Sequence, residues 1–174
     1  MHEFWVASWN ACKKSSGAAP KVYRALRRQF GEFVGILQEV PAWSTIDGLG
    51  YSGHQVLAPP DCDCGFLIPR HWMSAVGVSG NGRYWAGVVV GPVILLSAHI
   101  LDRCVDDGRA ETVFRETCAF VARVRATNRH VAYQVVLGVD GNVTLQPDTA
   151  GVSGIAVLPR KAGHTPSMQR VVAR

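Results

Sequence analysis

Short apolar runs alternate with polar breaks along most of the chain, and several runs close on an amide, an acid or an imidazole. Phe4 to Asn10 combines aromatics with a β-branched residue and predicts a strand that finishes in an amide. Ser15 to Ala19 reads as a small-residue loop, and Pro20 marks the first turn of a helix. Val22, Leu26 and Phe30 recur at helical spacing, Lys21, Arg24, Arg27 and Arg28 take the other face, and Gly31 ends the helix. That basic face reads as solvated, with phosphate contact as the alternative. Phe33 to Leu37 is a second apolar strand, followed by Gln38 and Glu39. Two covered strands joined by a helix are expected to lie side by side, which puts Asn10 and Glu39 at one sheet edge.

Pro41, Trp43 and Gly48 to Gly53 form a loop, and the segments His54–Leu57, Gly65–Ile68 and Ser74–Val78 predict a meander of short strands. Gly80-Asn81-Gly82 predicts a turn, Arg83 to Val90 a strand, and Val93 to Leu101 another that carries His99 near its end. A histidine on an apolar strand is ordinarily a satisfied core residue, so His99 alone marks nothing. Asp106 and Asp107 can cap a helix that runs to about Asn128, with Val113, Thr117, Phe120, Val121 and Val124 as its buried stripe. Tyr133 to Val139 is the next strand. The chain then loosens around Gly151, Gly154, Pro159 and Gly163, until Thr165-Pro166 opens a helix with Met168, Val171 and Val172 as its first apolar positions.

The break after Val139 supports two readings. Asp140-Gly141 between hydrophobic runs is a strong signal for a two-residue hairpin turn. In an extended chain, however, residues i and i+2 point the same way, so Asp140 and Asn142 would project together from a strand end. Apolar packing has no use for such a pair, whereas a site that handles phosphate and water does.

The totals bound these readings. A chain of 174 residues makes one domain with a real core, and 48% hydrophobic against 18% charged residues is a globular composition. The longest apolar run, Val88 to Ile100, is interrupted by Gly91, Pro92, Ser97 and His99, and it falls short of the ~20 residues of a membrane-spanning helix. A net charge of +5 suits a polyanionic partner. The five cysteines, Cys12, Cys62, Cys64, Cys104 and Cys118, form an odd set with no secretory leader, so reduced thiols and an intracellular location are expected. Cys62-Asp63-Cys64 lacks the second ligand pair of a zinc site and reads as buried or incidental thiols.

The polar strand ends Asn10, Glu39, His99, Asp140 and Asn142 make a coherent hydrolytic set. A glutamate offers a hard oxygen to Mg²⁺, and an aspartate beside it can orient or deprotonate water. Asparagine amides donate to charge on phosphoryl oxygens, and a histidine can protonate a leaving oxygen.

At these residues the chain resembles the endonuclease/exonuclease/phosphatase superfamily. The resemblance rests on Ser8-Trp9-Asn10, Leu37-Gln38-Glu39, Ser97-Ala98-His99-Ile100 and Gly138-Val139-Asp140-Gly141-Asn142, in that order, from Phe4 to about Val143. It implies a four-layer αββα sandwich of the DNase-like type, an α/β (α+β) fold of two packed sheets, over a single domain 1–174. It also implies a Mg²⁺-dependent phosphodiesterase, with Mn²⁺ as an alternative, acting on nucleic acid, DNA ahead of RNA. Glu39 would be the principal metal ligand and Asn10 would assist at metal or phosphate. Asp140 would activate water, Asn142 would bind phosphate, and His99 would act as the acid found in the DNase branch.

The family pattern closes with a further Asp and an Asp-His pair, and Asp148 and His164 lie too near the fourth motif to supply them. The expectation is therefore a domain cut before its last strands, with an exposed sheet edge that a partner or a missing C-terminal segment would cover. Two other functions follow: an inactive remnant, or a related phosphoesterase acting on a phosphoinositide, a phospholipid or an mRNA tail.

Overall fold

The computed structural model describes residues 2–11, 18–40, 53–100, 108–140, 155–159 and 167–173. Strand β1 (His2–Asn10) leads through helix α1 (Ala18–Phe30) into β2 (Phe33–Gln38). Then come β3 (His54–Leu57), β4 (Cys64–Pro69), a 3-10 helix (Arg70–Ala75), β5 (Val76–Gly82), β6 (Trp85–Val90) and β7 (Val93–His99). Helix α2 (Arg109–Thr127) connects to β8 (Gln134–Asp140), followed by β9 (Ile155–Pro159) and β10 (Ser167–Ala173).

The strands form two sheets, ordered β10-β1-β2-β4-β3 and β5-β6-β7-β8-β9. Each contains a parallel pair joined through a helix, β1 with β2 across α1 and β7 with β8 across α2, and β8 pairs in parallel with β9 as well. A parallel pair needs such a crossover, and both strands of the pair then end at the same edge. Asn10 lies opposite Gln38 in the first pair, and His99 lies opposite Asp140 in the second. The predicted pairing of the first two strands is thus observed, and the second sheet repeats it.

Three apolar layers hold the stack together. Tyr23 and Leu26 of α1 pack on Ala7, Trp9, Phe33, Leu37 and Leu67 on the outer face of the first sheet. Val6, Val34, Ile36, Phe66, Ile68, Val88, Leu95 and Val136 fill the space between the sheets. The predicted stripe of α2, including Val113, Phe120, Val121 and Val124, covers Trp85, Val89, Ile94, Leu96 and Leu137 on the second sheet. The result is the helix–sheet–sheet–helix sandwich expected. Gly31 ends α1 at φ +70, a left-handed conformation that glycine adopts without strain, and its amide bonds to Arg27 O at 3.1 Å. Among the described residues, no helix is long and apolar enough to cross a membrane.

Several local expectations are corrected. The turn at Gly80-Asn81-Gly82 lies two residues later: β5 runs through Gly82, which pairs with Trp85, and the chain reverses at Arg83 and Tyr84. Ser74 and Ala75 belong to the 3-10 helix rather than to a strand. The last element is a strand and not the expected helix. β10 runs antiparallel along β1 from Ser167 opposite Ser8 to Ala173 opposite His2. The open edge of β1 offers a full ladder of hydrogen bonds, and that tertiary pairing overrides a short helical spacing. The loosened stretch also contains β9, which runs parallel to β8 with Ile155 opposite Val135. Parallel neighbours cannot be joined by a two-residue turn, so the hairpin reading of Asp140-Gly141 fails. The cap at Asp106 and Asp107, the loop from Pro41 to Ser52 and the residue Asn142 lie outside the described residues.

Candidate functional site

The two helix-linked parallel pairs face each other across the sandwich, so four strand ends converge at one edge. Asn10 at the end of β1 donates from Nδ2 to Glu39 Oε1 at 2.8 Å and to Asp140 Oδ2 at 2.6 Å. His99 at the end of β7 brings Nε2 to 3.5 Å from Glu39 Oε1. Asp140 is fully buried, His99 and Asn10 are buried, and Glu39 is 30% exposed, so the cluster opens to solvent through the glutamate. Four sequence-predicted site residues from four strands therefore meet in one constellation.

Glu39 reaches this cluster because the backbone breaks its alternation there. Gln38 faces into the sandwich, and an extended continuation would send the next side chain to the α1 side. Glu39 instead adopts φ +50, uncommon for a residue with a Cβ, and its carboxylate turns back towards Asn10 and His99. Sparsely populated backbone conformations of this kind cluster at functional sites, where the surrounding structure holds them.

A buried polar layer lies directly beneath. Gln38 Nε2 is 3.3 Å from Ser8 Oγ, 3.3 Å from Ser97 Oγ and 3.4 Å from Gly138 O. Ser97 Oγ donates to Leu37 O at 2.6 Å. Ser8, Ser97 and Gly138 each stand two residues before Asn10, His99 and Asp140, on the same face of their strands. The amide of Gln38 thus ties together the four strands that carry the cluster, one layer below it. Only a glycine fits at 138: a Cβ there would lie 2.5 Å from Ser8 Oγ and 2.6 Å from Ile36 Cγ2.

One further neighbour escaped the sequence reading. Asp63, read only as the spacer between two cysteines, places Oδ2 4.0 Å from His99 Nδ1. Its signal was topological: β4 lies antiparallel to β2 with Cys64 opposite Gln38, so the preceding residue reaches the Glu39 edge. The Cys62 and Cys64 side chains are buried, as expected, with their sulfurs directed at Trp85 O and Tyr84 O. Burial, reinforced by the neighbouring Cys62 thiol, pushes the Cys64 thiol well above its ordinary value.

Glu39, His99 and Asp140 present ligand atoms that all lie within 4.8 Å of one another, a spacing that suits a metal ion. Asn10 offers its Nδ2 to both carboxylates, which is the position of a hydrogen-bond donor. Carboxylates held by an amide beside an imidazole can bind a cation, orient water and accept a proton.

No family model and no curated protein matches the chain. The fold is shared with crystal structures of TDP2 from Caenorhabditis elegans. The selenomethionine form is 20% identical with a TM-score of 0.55, covering 89% of this chain and 51% of that one. A second structure gives 20% identity and a TM-score of 0.54, covering 88% and 51%. A truncated form gives 20% and 0.55, covering 88% and 66%. The chain spans about half the length of the first two, and at this identity the likeness establishes the α+β sandwich fold.

Proposed function

We propose that the chain is a metal-dependent phosphodiesterase of the endonuclease/exonuclease/phosphatase type that hydrolyses nucleic-acid phosphodiester bonds. The observation that carries this reading is the double hydrogen bond from Asn10 Nδ2 to Glu39 at 2.8 Å and Asp140 at 2.6 Å, beside the buried His99. An amide that bridges two carboxylates from facing sheets has no packing function that an apolar side chain would not serve better. The TDP2 neighbours support the substrate class, since TDP2 is a tyrosyl-DNA phosphodiesterase, and the net charge of +5 favours a polyanion.

In this reading Glu39, partly exposed where Asp140 is buried, would hold a divalent cation at the mouth of the cluster. A cation bound there supplies positive charge against a phosphoryl oxygen. Asp140, oriented by the Asn10 amide, takes the proton of the attacking water. Asn10 fixes both acids in place, and Asn142 donates to the phosphate as the family resemblance implies.

Incubation of the purified chain with plasmid and abasic-site DNA, with and without divalent cation, tests this. Cation-dependent cleavage that Glu39→Gln and Asp140→Asn abolish is the expected result. No cleavage under any condition, or cleavage that both variants retain, overturns it, and cation binding without turnover makes the chain a binding module.

A further inference from the structure

Among the described residues two histidines are buried, and their surroundings treat them differently. His54 has both ring nitrogens bonded, Nε2 to Phe33 O at 2.7 Å and Nδ1 to the Tyr23 hydroxyl at 3.0 Å. His99 is equally buried, yet its Nδ1 has no hydrogen-bond partner among the described residues and its Nε2 stands 3.5 Å from Glu39 Oε1. That separation lies beyond the 2.7–3.2 Å of an ordinary N–H···O bond. A buried ring nitrogen left without a partner is costly, and native proteins rarely carry one without a reason.

We propose that His99 Nε2 is a metal ligand, and that Glu39, His99 and Asp140 form a site for a first-row transition-metal dication in preference to Mg²⁺. The inference rests on reading the cluster as a cation site, and it replaces the acid role that the resemblance gave His99. An ion about 2.1 Å from each donor needs donors separated by roughly 3 to 4 Å. The nitrogen already lies 3.5 Å from Glu39 Oε1, and all three donors fall within 4.8 Å. The backbone holds them in register: His99 is opposite Asp140, His99 N donates to Tyr84 O at 2.9 Å, and Ile100 N donates to Asp140 O at 2.8 Å. An imidazole with two carboxylates is a mixed nitrogen and oxygen set. Such a set suits Mn²⁺, Co²⁺ or Zn²⁺, whereas Mg²⁺ prefers oxygen donors and keeps its waters. Ligating histidines commonly direct their other ring nitrogen at a carboxylate, and Asp63 Oδ2 stands 4.0 Å from His99 Nδ1 on that side.

The test is a metal titration of the whole chain that reads no cleavage. Co²⁺ binding is followed by its visible absorption and Mn²⁺ by electron paramagnetic resonance, each alone and against Mg²⁺. Co²⁺ is expected to show ligand-field bands typical of mixed nitrogen and oxygen ligation, and Mg²⁺ is expected to displace it only in large excess. His99→Ala should weaken Co²⁺ and Mn²⁺ binding by more than the ~10–100-fold usual for an outer partner, while Asp63→Asn should fall within that range. Mg²⁺ affinity should change less than the transition-metal affinity in both variants. His99→Asn, which retains a polar side chain, serves if His99→Ala does not fold, as judged by circular dichroism. Equal affinity for Mg²⁺ and Mn²⁺ overturns the proposal, as does Co²⁺ binding that survives loss of the imidazole. Mg²⁺-driven cleavage with no His99-dependent metal binding would leave the hydrolase reading standing without this one. His99-dependent Co²⁺ binding without cleavage would do the reverse.

Discussion

Asn10 Nδ2 lies 2.6 Å from Asp140 Oδ2, joining residues 130 positions apart and one sheet to the other. The same nitrogen lies 2.8 Å from Glu39 Oε1, so a single amide holds two carboxylates that would otherwise repel each other in a buried corner. Everything proposed for the site depends on that bridge.

Replacing Asn10 therefore has a signed consequence. Asn10→Asp puts a third carboxylate between two others, one of them fully buried, and should cost about 3 kcal/mol of stability in the absence of divalent cation. Added Mn²⁺ should recover most of that loss, because the cation replaces the positive edge of the amide. Asn10→Ala should cost less and recover less. Thermal melts of both variants with and without Mn²⁺ check the ordering, and an Asn10→Asp protein as stable as wild type without cation would contradict it.

The layer beneath the site makes its own prediction. Gln38→Leu removes contacts to Ser8, Ser97 and Gly138 and leaves their polar atoms buried, which should destabilise by about 1–3 kcal/mol. Gly138→Ala should cost a similar ~1–3 kcal/mol, because its Cβ would force Ser8 and Ile36 aside. Both substitutions move β8 or β2 relative to the other sheet, so metal affinity should fall with stability. Urea denaturation beside a Mn²⁺ titration separates this from a purely local defect, which would leave the affinity unchanged.

Much of the constellation was legible because each contributing strand is an apolar run that stops on a polar residue. Asn10, Glu39, His99 and Asp140 announce themselves in that way, and two βαβ crossovers carry them to facing edges. Asp63 was not legible, since nothing in Cys62-Asp63-Cys64 indicates that β4 will lie antiparallel beside β2. Gln38 stood inside a recognised motif, yet its role depends on inter-sheet contacts that no local pattern encodes. The strand β10 was misread because Met168, Val171 and Val172 fit a helical stripe, while the partner that makes them a strand lies at the opposite end of the sequence.

That pairing can be tested directly. Val171 is buried between the sheets and pairs with Phe4. Val171→Asp would place a carboxylate in that apolar layer and should destabilise by roughly 3 kcal/mol or more, whereas Arg170→Gln, exposed on the other face, should stay within about 0.5 kcal/mol. Equal tolerance of the two substitutions in urea denaturation would argue against the strand.

The thiol beside the site predicts how stability depends on pH. Burial raises the Cys64 thiol well above its ordinary value, and burial also raises the Tyr23 hydroxyl despite the nearby Arg27 guanidinium. Both groups hold their protons more tightly in the folded chain than in the unfolded one. Their contribution is fully present below the unfolded values, about 8.5 for a thiol and 10 for a phenol, and is lost as pH rises through that range towards the folded values. The melting temperature should therefore fall from about pH 8.5 upward. In Cys64→Ala the fall should be shallower, because one of the groups that drives it is gone. The same burial predicts slow alkylation of Cys64 at pH 8, set by unfolding, while the exposed Cys118 reacts freely. Site-resolved mass spectrometry after a short maleimide pulse reads both rates at once. Equal labelling of Cys64 and Cys118 in the folded protein would mean that the site edge opens readily to solvent, and the alkaline prediction would fail with it.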